Sequence, residues 1–135
     1  SEKKYNELSP FAISLGSAFQ KVNFLRDLKD DSNILNRVYF PNVDMNNFNE
    51  DSKREIITEI EEDFKNAIKG IVRLPKNSKF AVYIAYRYYF KLLKKLKRIS
   101  SENIVKKRVR IHNFQKFVVI ARSYVKYQLN LIQWI

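Results

Sequence analysis

Four polar side chains recur at helical spacing in an otherwise apolar segment, and their types suit binding of a metal ion and a phosphate. They are Gln20, Asn23, Asp27 and Asp31. At about 100° per residue, the four fall within an arc of about 80° on one side of a helix. Gly16 projects into the same arc, so a ligand could approach the backbone there.

The chemistry of this stripe depends on its two carboxylates, Asp27 and Asp31, which are four residues apart. Like charges at this spacing repel each other and destabilise an isolated helix. A divalent cation removes that repulsion, and Mg²⁺ is typically held by one or two carboxylates together with substrate phosphates. Acidic pairs at this spacing are also common on exposed helix edges. Taken alone, the pair therefore leaves two interpretations open, a magnesium–diphosphate site and a solvated helix edge.

The elements that must position this stripe are predicted to be helices. With only 2 Gly and 3 Pro, the chain is a poor candidate for a turn-rich β-protein, while 10 Phe and 8 Tyr can fill a core. The first helix is predicted from an N-cap at Ser9 to about Asp31, with Pro10 in its first position. Further helices are predicted over about 51–69, 77–99 and 113–134, with a short one over 101–106. We therefore predict one all-α domain over residues 1–135, with four long helices and one short one.

Apolar spacing indicates which side of each helix is buried. The second helix has a clear inner stripe, and Gly70 suits its C-terminal end. Predicted inner positions of the second helix are Ile56, Ile60, Phe64, Ala67 and Ile68; those of the third are Val82, Ala85, Tyr89, Leu92, Leu93 and Leu96; those of the last include Phe114, Phe117, Ile120, Ala121 and Tyr124. Tyr83, Tyr86 and Tyr88 are interpreted as packing residues. The acidic residues between Asp44 and Asp63 are interpreted as a solvated linker and helix face.

The segment over residues 16–41 resembles the second aspartate-rich motif of the squalene/phytoene synthase family, the trans-isoprenyl head-to-head synthases. The family pattern A-x-Q-x-x-N-x-x-R-D-x-x-x-D is followed shortly by R-x-Y-x-P. Its positions here are Ala18, Gln20, Asn23, Arg26, Asp27, Asp31, Arg37, Tyr39 and Pro41. This ending is most similar to bacterial phytoene and dehydrosqualene synthases. Asn36 departs from the pattern, because the family often has Gly before the Arg.

Two later segments extend the resemblance. The stretch from Ala85 through Tyr89 to Leu93 resembles the family's late A-x-x-x-Y-x-x-I-L helix, and the stretch around Arg108 resembles a short arginine-containing segment that follows it. The resemblance implies the C-terminal half of an isoprenoid-synthase helical bundle. No second Asp-x-x-x-Asp occurs in the 135 residues. We therefore expect the chain to be part of a longer prenyl synthase, to be inactive by itself, and either to self-associate or to hold the missing N-terminal half.

The resemblance also implies a function, namely Mg²⁺-dependent condensation of two allylic isoprenyl diphosphates head to head, as in phytoene or squalene synthesis. It assigns Asp27 and Asp31 as metal ligands and, with Tyr89, as catalytic residues. The residues it assigns to the substrate diphosphate are Gln20, Asn23, Arg37, Tyr39 and Arg108. Farnesyl or geranylgeranyl diphosphate would be the substrate, and NADPH would be used only if the product is squalene.

The net charge of +12 supports a second class of function. A basic chain can bind nucleic acid, an acidic membrane surface or a polyanionic substrate. Much of the excess lies in two runs, over residues 91–98 and 106–110, which could also be ordinary solvated faces. No nucleic-acid reader motif is present, so no nucleic-acid partner is expected. The rival hypothesis is a non-catalytic basic helical module for acidic membranes or a partner protein; a terpene cyclase of related fold fits the motifs less well.

Compartment and redox chemistry follow from simple observations. The chain has no Cys, which excludes disulfides and thiolate metal sites. No secretory signal is visible, and no apolar run approaches the ~20 residues that would cross a bilayer. We expect a cytoplasmic protein, with peripheral membrane contact as an open alternative.

Overall fold

The computed structural model describes residues 2–28, 40–106 and 113–128, and every regular element in those ranges is helical. The elements are α1 (Glu2–Arg26), a 3₁₀ turn (Met45–Asn47), α2 (Glu50–Ile71), α3 (Lys76–Arg98), α4 (Ser101–Ile104) and α5 (Asn113–Gln128). The prediction of an all-α chain with four long helices and one short one is confirmed.

The first helix begins earlier than predicted. Pro10 lies inside α1 rather than at its start, and Ser9 is therefore not its N-cap. A proline in a helix interior removes one backbone hydrogen bond and is normally unfavourable. Here Leu8 and Phe11, on either side of Pro10, face an apolar cavity shared with α2 and α3, and α1 continues through Pro10. At the other end α1 stops at Arg26, and the Asp27 amide still donates to the Asn23 carbonyl at 3.0 Å.

The second helix follows the predicted stripe closely. Its buried positions include all of the predicted ones, Ile56, Ile60, Phe64, Ala67 and Ile68. Asn49 caps the start, because its side-chain oxygen accepts a hydrogen bond from the Ser52 amide at 3.0 Å. The prediction that Gly70 ends the helix is wrong, because α2 continues to Ile71. Gly70 instead lies against Phe11, where a Cβ atom would come within 2.4 Å of the Phe11 Cβ.

The third helix is central and packs against α1, α2 and α5. For this reason its buried side is wider than one stripe: Tyr83, Tyr86 and Phe90 are buried, while Val82, Ala85 and Tyr89 are only half-buried. Phe64 of α2 makes edge-on ring contacts with Tyr86 at 5.3 Å and with Phe90 at 5.4 Å. The interpretation of Tyr83 and Tyr86 as packing residues is confirmed.

The junction between α3 and α4 is fixed by two charged residues at the start of α2. The buried Lys53 donates from Nζ to the carbonyls of Lys97 at 3.1 Å and Ile99 at 2.7 Å. Glu50 pairs with Lys53 at 3.1 Å and accepts a hydrogen bond from the Ser101 amide at 2.7 Å. Carbonyls at a helix C-terminus lack intrahelical donors, so Lys53 satisfies groups that would otherwise be unpaired.

The last helix buries a different side from the predicted one. Ile120, Ala121 and Tyr124 are exposed, whereas Val119 and Ser123 are buried. The inner positions are therefore shifted around the helix, and the small Ser123 side chain admits close packing there. Phe114 and Phe117 lie outside the described side chains.

Candidate functional site

The predicted polar stripe lies along one side of α1 and ends at the turn that follows the helix. Gln20 is exposed, Asn23 is half-buried, and the Asp27 side chain is 24% exposed. At Gly16, one turn earlier, a Cβ atom would meet nothing within 4 Å. The backbone at Gly16 can therefore be approached closely from outside.

Asn23 and Tyr89, two predicted site residues on different helices, are in contact. The Asn23 Nδ2 donates a hydrogen bond to the Tyr89 Oη at 3.3 Å across 66 residues of sequence. The Tyr89 ring stacks on Phe19 of α1, with ring centroids 4.2 Å apart. This stacking fixes the ring beside the stripe, and sequence analysis had not identified Phe19 as its support.

The other polar atom of the Asn23 amide, its oxygen, receives no hydrogen bond in the described part of the chain. Asn23 Oδ1 is a buried side-chain atom without a hydrogen-bond partner there. A buried acceptor without a donor costs about 1–3 kcal/mol. An oxygen-seeking cation or a donating ligand group would satisfy it.

The Asp27 carboxylate is held by its neighbour Arg26 through both oxygens. Arg26 Nε donates to Asp27 Oδ1 at 3.1 Å, and Nη2 donates to Oδ2 at 3.0 Å. The hydrogen bond with Asp27 raises the pKa of Arg26 despite partial burial, and Tyr89 and Tyr88 act in the same direction. Arg26 therefore interacts electrostatically with both the Asp27 carboxylate and the nearby Tyr88 and Tyr89. It was not among the predicted site residues, although it belongs to the resembling motif.

The donor atoms present suit magnesium but do not by themselves form a closed metal site. In the described ranges no group of three or more His, Cys, Asp or Glu is placed to hold a metal ion. Mg²⁺ prefers oxygen ligands and usually keeps water or phosphate in part of its shell. The Asp27 carboxylate, with the unpaired Asn23 Oδ1 on the preceding turn, offers such oxygens.

Four predicted site residues lie outside the described ranges, namely Asp31, Arg37, Tyr39 and Arg108. Their assignments remain predictions.

A neighbouring side of α1, between the polar stripe and the buried core side, is anchored to α2 by charged groups. Lys21 Nζ lies 2.7 Å from Glu59 Oε1 and 2.9 Å from Asp63 Oδ2, and the Ser17 hydroxyl also donates to Asp63 at 2.9 Å. Burial alone would lower the pKa of Lys21, but these hydrogen bonds outweigh burial and raise it. The interpretation of the α2 carboxylates as solvated is therefore wrong for Asp63, whose side chain is 20% exposed, whereas Glu59 stays exposed while it pairs with Lys21.

An apolar cavity of about 210 Å³ lies between α1, α2 and α3, towards the N-terminal end of α1. Its lining residues are Leu8, Phe11, Ala12, Leu15, Ala67, Gly70, Ile71, Leu74 and Val82. None of them carries a polar side chain, so the cavity suits a hydrocarbon group and not a phosphate.

Comparison with known proteins assigns the chain to a class of helical enzymes. The sequence model of the squalene/phytoene synthase family matches residues 2–115, a range that includes α1 through α4 and all three resembling segments. The chain belongs to the squalene/phytoene synthase family. Membership implies a prenyltransferase-type enzyme that acts on isoprenyl diphosphates and has an all-α isoprenoid-synthase fold. No curated protein and no solved structure matches the chain significantly.

No helix in the described part of the chain is both long enough and apolar enough to cross a bilayer.

Proposed function

We propose that the chain takes part in Mg²⁺-dependent head-to-head condensation of two allylic isoprenyl diphosphates, with the polar stripe of α1 as a diphosphate-binding wall. One observation carries this proposal. Asn23 and Tyr89 meet beside Asp27, and the amide leaves a buried oxygen that no described donor satisfies. A purely structural amide would normally have both of its polar atoms paired.

Each described residue has a defined part in this proposal. Because Asn23 donates to the Tyr89 oxygen, the Tyr89 hydroxyl proton is directed elsewhere and can be donated to a phosphate oxygen. Asp27 and, by the family motif, Asp31 would hold Mg²⁺, and Asn23 Oδ1 would complete the oxygen donors. When bound, Mg²⁺ would neutralise the negative charge that develops on the leaving diphosphate.

Arg26 gives the site a charge partner that does not depend on metal. It neutralises Asp27 through a two-point hydrogen bond in the absence of a cation. When Asp27 binds a metal ion, the Arg26 guanidinium becomes available to the oxygens of a diphosphate, for which its planar fork is well suited. Arg37, Tyr39 and Arg108 are proposed as further diphosphate contacts on the strength of the family motif.

The family's first aspartate-rich motif does not occur in these 135 residues. We therefore propose that turnover needs a polypeptide that carries it, held non-covalently or in the same protein, and that the chain alone binds substrate without turnover. Farnesyl and geranylgeranyl diphosphate are the proposed substrates, and consumption of NADPH would identify squalene as the product.

Binding of a non-hydrolysable farnesyl thiodiphosphate, measured by calorimetry with and without Mg²⁺, tests the site. Asp27→Asn should abolish the Mg²⁺-dependent part of the affinity. Asp51→Asn is the matched control, since the Asp51 side chain lies on α2, is 86% exposed and pairs with Arg54 of the same helix. Full Mg²⁺-dependent affinity in Asp27→Asn would show that the site assignment is wrong.

The rival function, a non-catalytic module, predicts that calorimetry detects no binding of the farnesyl analogue. It also predicts that no prenyl diphosphate changes the melting temperature of the chain in the presence of Mg²⁺. It gives no reason for an unpaired amide oxygen beside a carboxylate on an otherwise well-packed helix.

A further inference from the structure

One side of α3 carries four cations in a single line. Arg87, Lys91, Lys94 and Arg98 follow each other at spacings of four, three and four residues, which places them on one side of the helix. At a rise of 1.5 Å per residue, this cationic row extends for about 16 Å. Lys94 and Arg98 are exposed, and Arg87 and Lys91 are half-buried.

The cationic row is not neutralised within the described part of the chain. None of its four members has an ion pair with a carboxylate there, whereas Lys97 on the same helix pairs with Glu61 at 3.0 Å. Arg87 Nη1 is buried and lacks a hydrogen-bond partner among the described residues. Burial lowers the pKa of Lys94, and the charges of Arg87, Lys91 and Arg98 lower it further. The four charges therefore act on one another and favour an external anion.

Apolar side chains extend the same surface towards the start of α3. Phe80 lies seven residues before Arg87 on the same side of the helix, and its ring contacts Tyr124 of α5 edge-on at 5.8 Å. Tyr124 is 51% exposed, and Ile120, one turn earlier on α5, is 47% exposed. Exposed aliphatic and aromatic groups of α5 thus flank Phe80, two helical turns before the first cation of the row.

We propose that the cationic row of α3, together with Ile120 and Tyr124 of α5, is a docking surface for an anionic lipid bilayer. Cations attract acidic headgroups, while an exposed Ile and a Tyr can enter the boundary between headgroups and acyl chains. A nucleic-acid surface would use the same cations but would gain little from an exposed Ile. The docking surface lies on a different side of α3 from Tyr89, and the inference does not depend on the proposed catalytic function.

Vesicle sedimentation with the 135-residue chain tests this surface. Phosphatidylcholine vesicles are neutral, and adding phosphatidylglycerol makes them anionic, so the difference in binding measures the electrostatic contribution to vesicle affinity. Binding to the anionic vesicles should weaken steeply with added salt. Each cation near an anionic bilayer contributes about fivefold in partitioning, so Lys91→Gln with Lys94→Gln and Arg98→Gln should lose affinity on the order of 100-fold.

A control with the same change in net charge distinguishes the cationic row from the overall charge of +12. Its substitutions, at exposed positions elsewhere, are Lys3→Gln, Lys69→Gln and Arg122→Gln. This control should keep most of the affinity. Replacing Ile120 and Tyr124 together by Ser should weaken binding severalfold while the salt dependence is retained. Circular dichroism checks that each variant has the helix content of the parent.

Three outcomes would overturn the proposal. The first is that the parent chain does not bind anionic vesicles. The second is that the triple variant of the cationic row and the triple control variant lose equal affinity. The third is that the cationic row binds duplex DNA while the chain does not bind vesicles. If the Asp27 variant loses prenyl diphosphate binding but still binds vesicles, the result tests the proposed diphosphate site and leaves the docking surface supported.

Discussion

Gly70 and Gly16 both lie inside helices, yet replacing each by Ala should change stability in opposite directions. At Gly70 of α2, an added Cβ would lie 2.4 Å from Phe11 Cβ and 2.9 Å from Phe11 Cγ. At Gly16 of α1, it would meet nothing within 4 Å. Gly70 is the next-to-last residue of α2, so its gain in helix propensity is at most that of Gly16, and the two sites differ mainly in packing.

The magnitude at Gly70 follows from two opposing terms. Ala is better than Gly in a helix interior by about 0.5–1 kcal/mol. Overpacking a filled interface costs about 1–3 kcal/mol. The apolar cavity beside Phe11 gives the aromatic ring room to turn, but Phe11 Cβ is fixed to the backbone of α1. Relief thus requires that α1 and α2 separate, and we expect Gly70→Ala to lower the free energy of unfolding by about 1–2 kcal/mol.

Urea denaturation followed by circular dichroism measures both variants against the parent chain. Gly16→Ala should raise the free energy of unfolding by about 0.5–1 kcal/mol, because only the propensity term operates. Equal stabilisation by both substitutions would refute the close approach of Gly70 to Phe11. Gly16→Ala has a further use, since added bulk on the polar stripe should weaken binding of a prenyl diphosphate analogue although the protein is more stable.

Three more predictions concern buried polar groups. Tyr86→Phe should stabilise the chain by about 1 kcal/mol, since its buried hydroxyl has no hydrogen-bond partner among the described residues. Burial raises the pKa of Tyr86 above its ordinary value of 10.0, so only the unfolded phenol ionises just above pH 10; stability should fall there by up to about 1.4 kcal/mol per pH unit. Urea titrations between pH 9 and 11 should show a smaller fall in Tyr86→Phe, with a remainder from Lys21 and Tyr83, whose raised pKa values act in the same direction. Lys53→Met should cost about 2–3 kcal/mol by leaving the Lys97 and Ile99 carbonyls without the donor that Lys53 provides, while the exposed control Arg54→Met should stay within about 0.5 kcal/mol in the same urea assay. Asn23→Leu should leave the melting temperature unchanged or higher but abolish Mg²⁺-dependent binding of the farnesyl analogue, and a clear loss of stability would instead assign Asn23 a structural role.

Helix positions were predictable where a regular apolar stripe contacts one neighbour. The stripe of α2, from Ile56 to Ile68, is buried as its spacing predicts. The spacing of α3 was less informative, because a helix packed against three others buries more than one stripe. In α5, several apolar residues suited either side of the helix, and packing selected Val119 and Ser123 in place of Ile120 and Tyr124.

Local signals failed where tertiary packing opposed them. Pro10 and Gly70 each mark a helix end in most sequences, yet both lie inside helices here. Gly70 is used for close approach of two helices, a role that depends on the position of Phe11 in another element. Such contacts between two helices cannot be predicted from the sequence of one helix alone.

The candidate site shows the same division between local and long-range information. The polar stripe of α1 follows from spacing alone, because helical periodicity places Gln20, Asn23 and Asp27 on one side. The contact between Asn23 and Tyr89 joins residues 66 positions apart, and no periodicity relates them. The family motifs named both residues, but their direct contact required the packing of α1 on α3. The two-point hydrogen bond from Arg26 to Asp27 was also missed, since adjacent residues in a regular helix point in different directions.

The two sides of α1 differ in how fully their polar groups are satisfied, and this difference supports a functional stripe. On the α2 side, Lys21 and Ser17 are matched to carboxylates at 2.7–2.9 Å, so the sequence can provide partners where α1 needs an anchor. On the stripe, the buried Asn23 oxygen is left without a described donor beside an open Gly16. An apolar side chain at position 23 would avoid that cost while keeping the packing. A helix that is well paired on one side and incompletely paired on the other is the arrangement expected when a ligand supplies the missing partner.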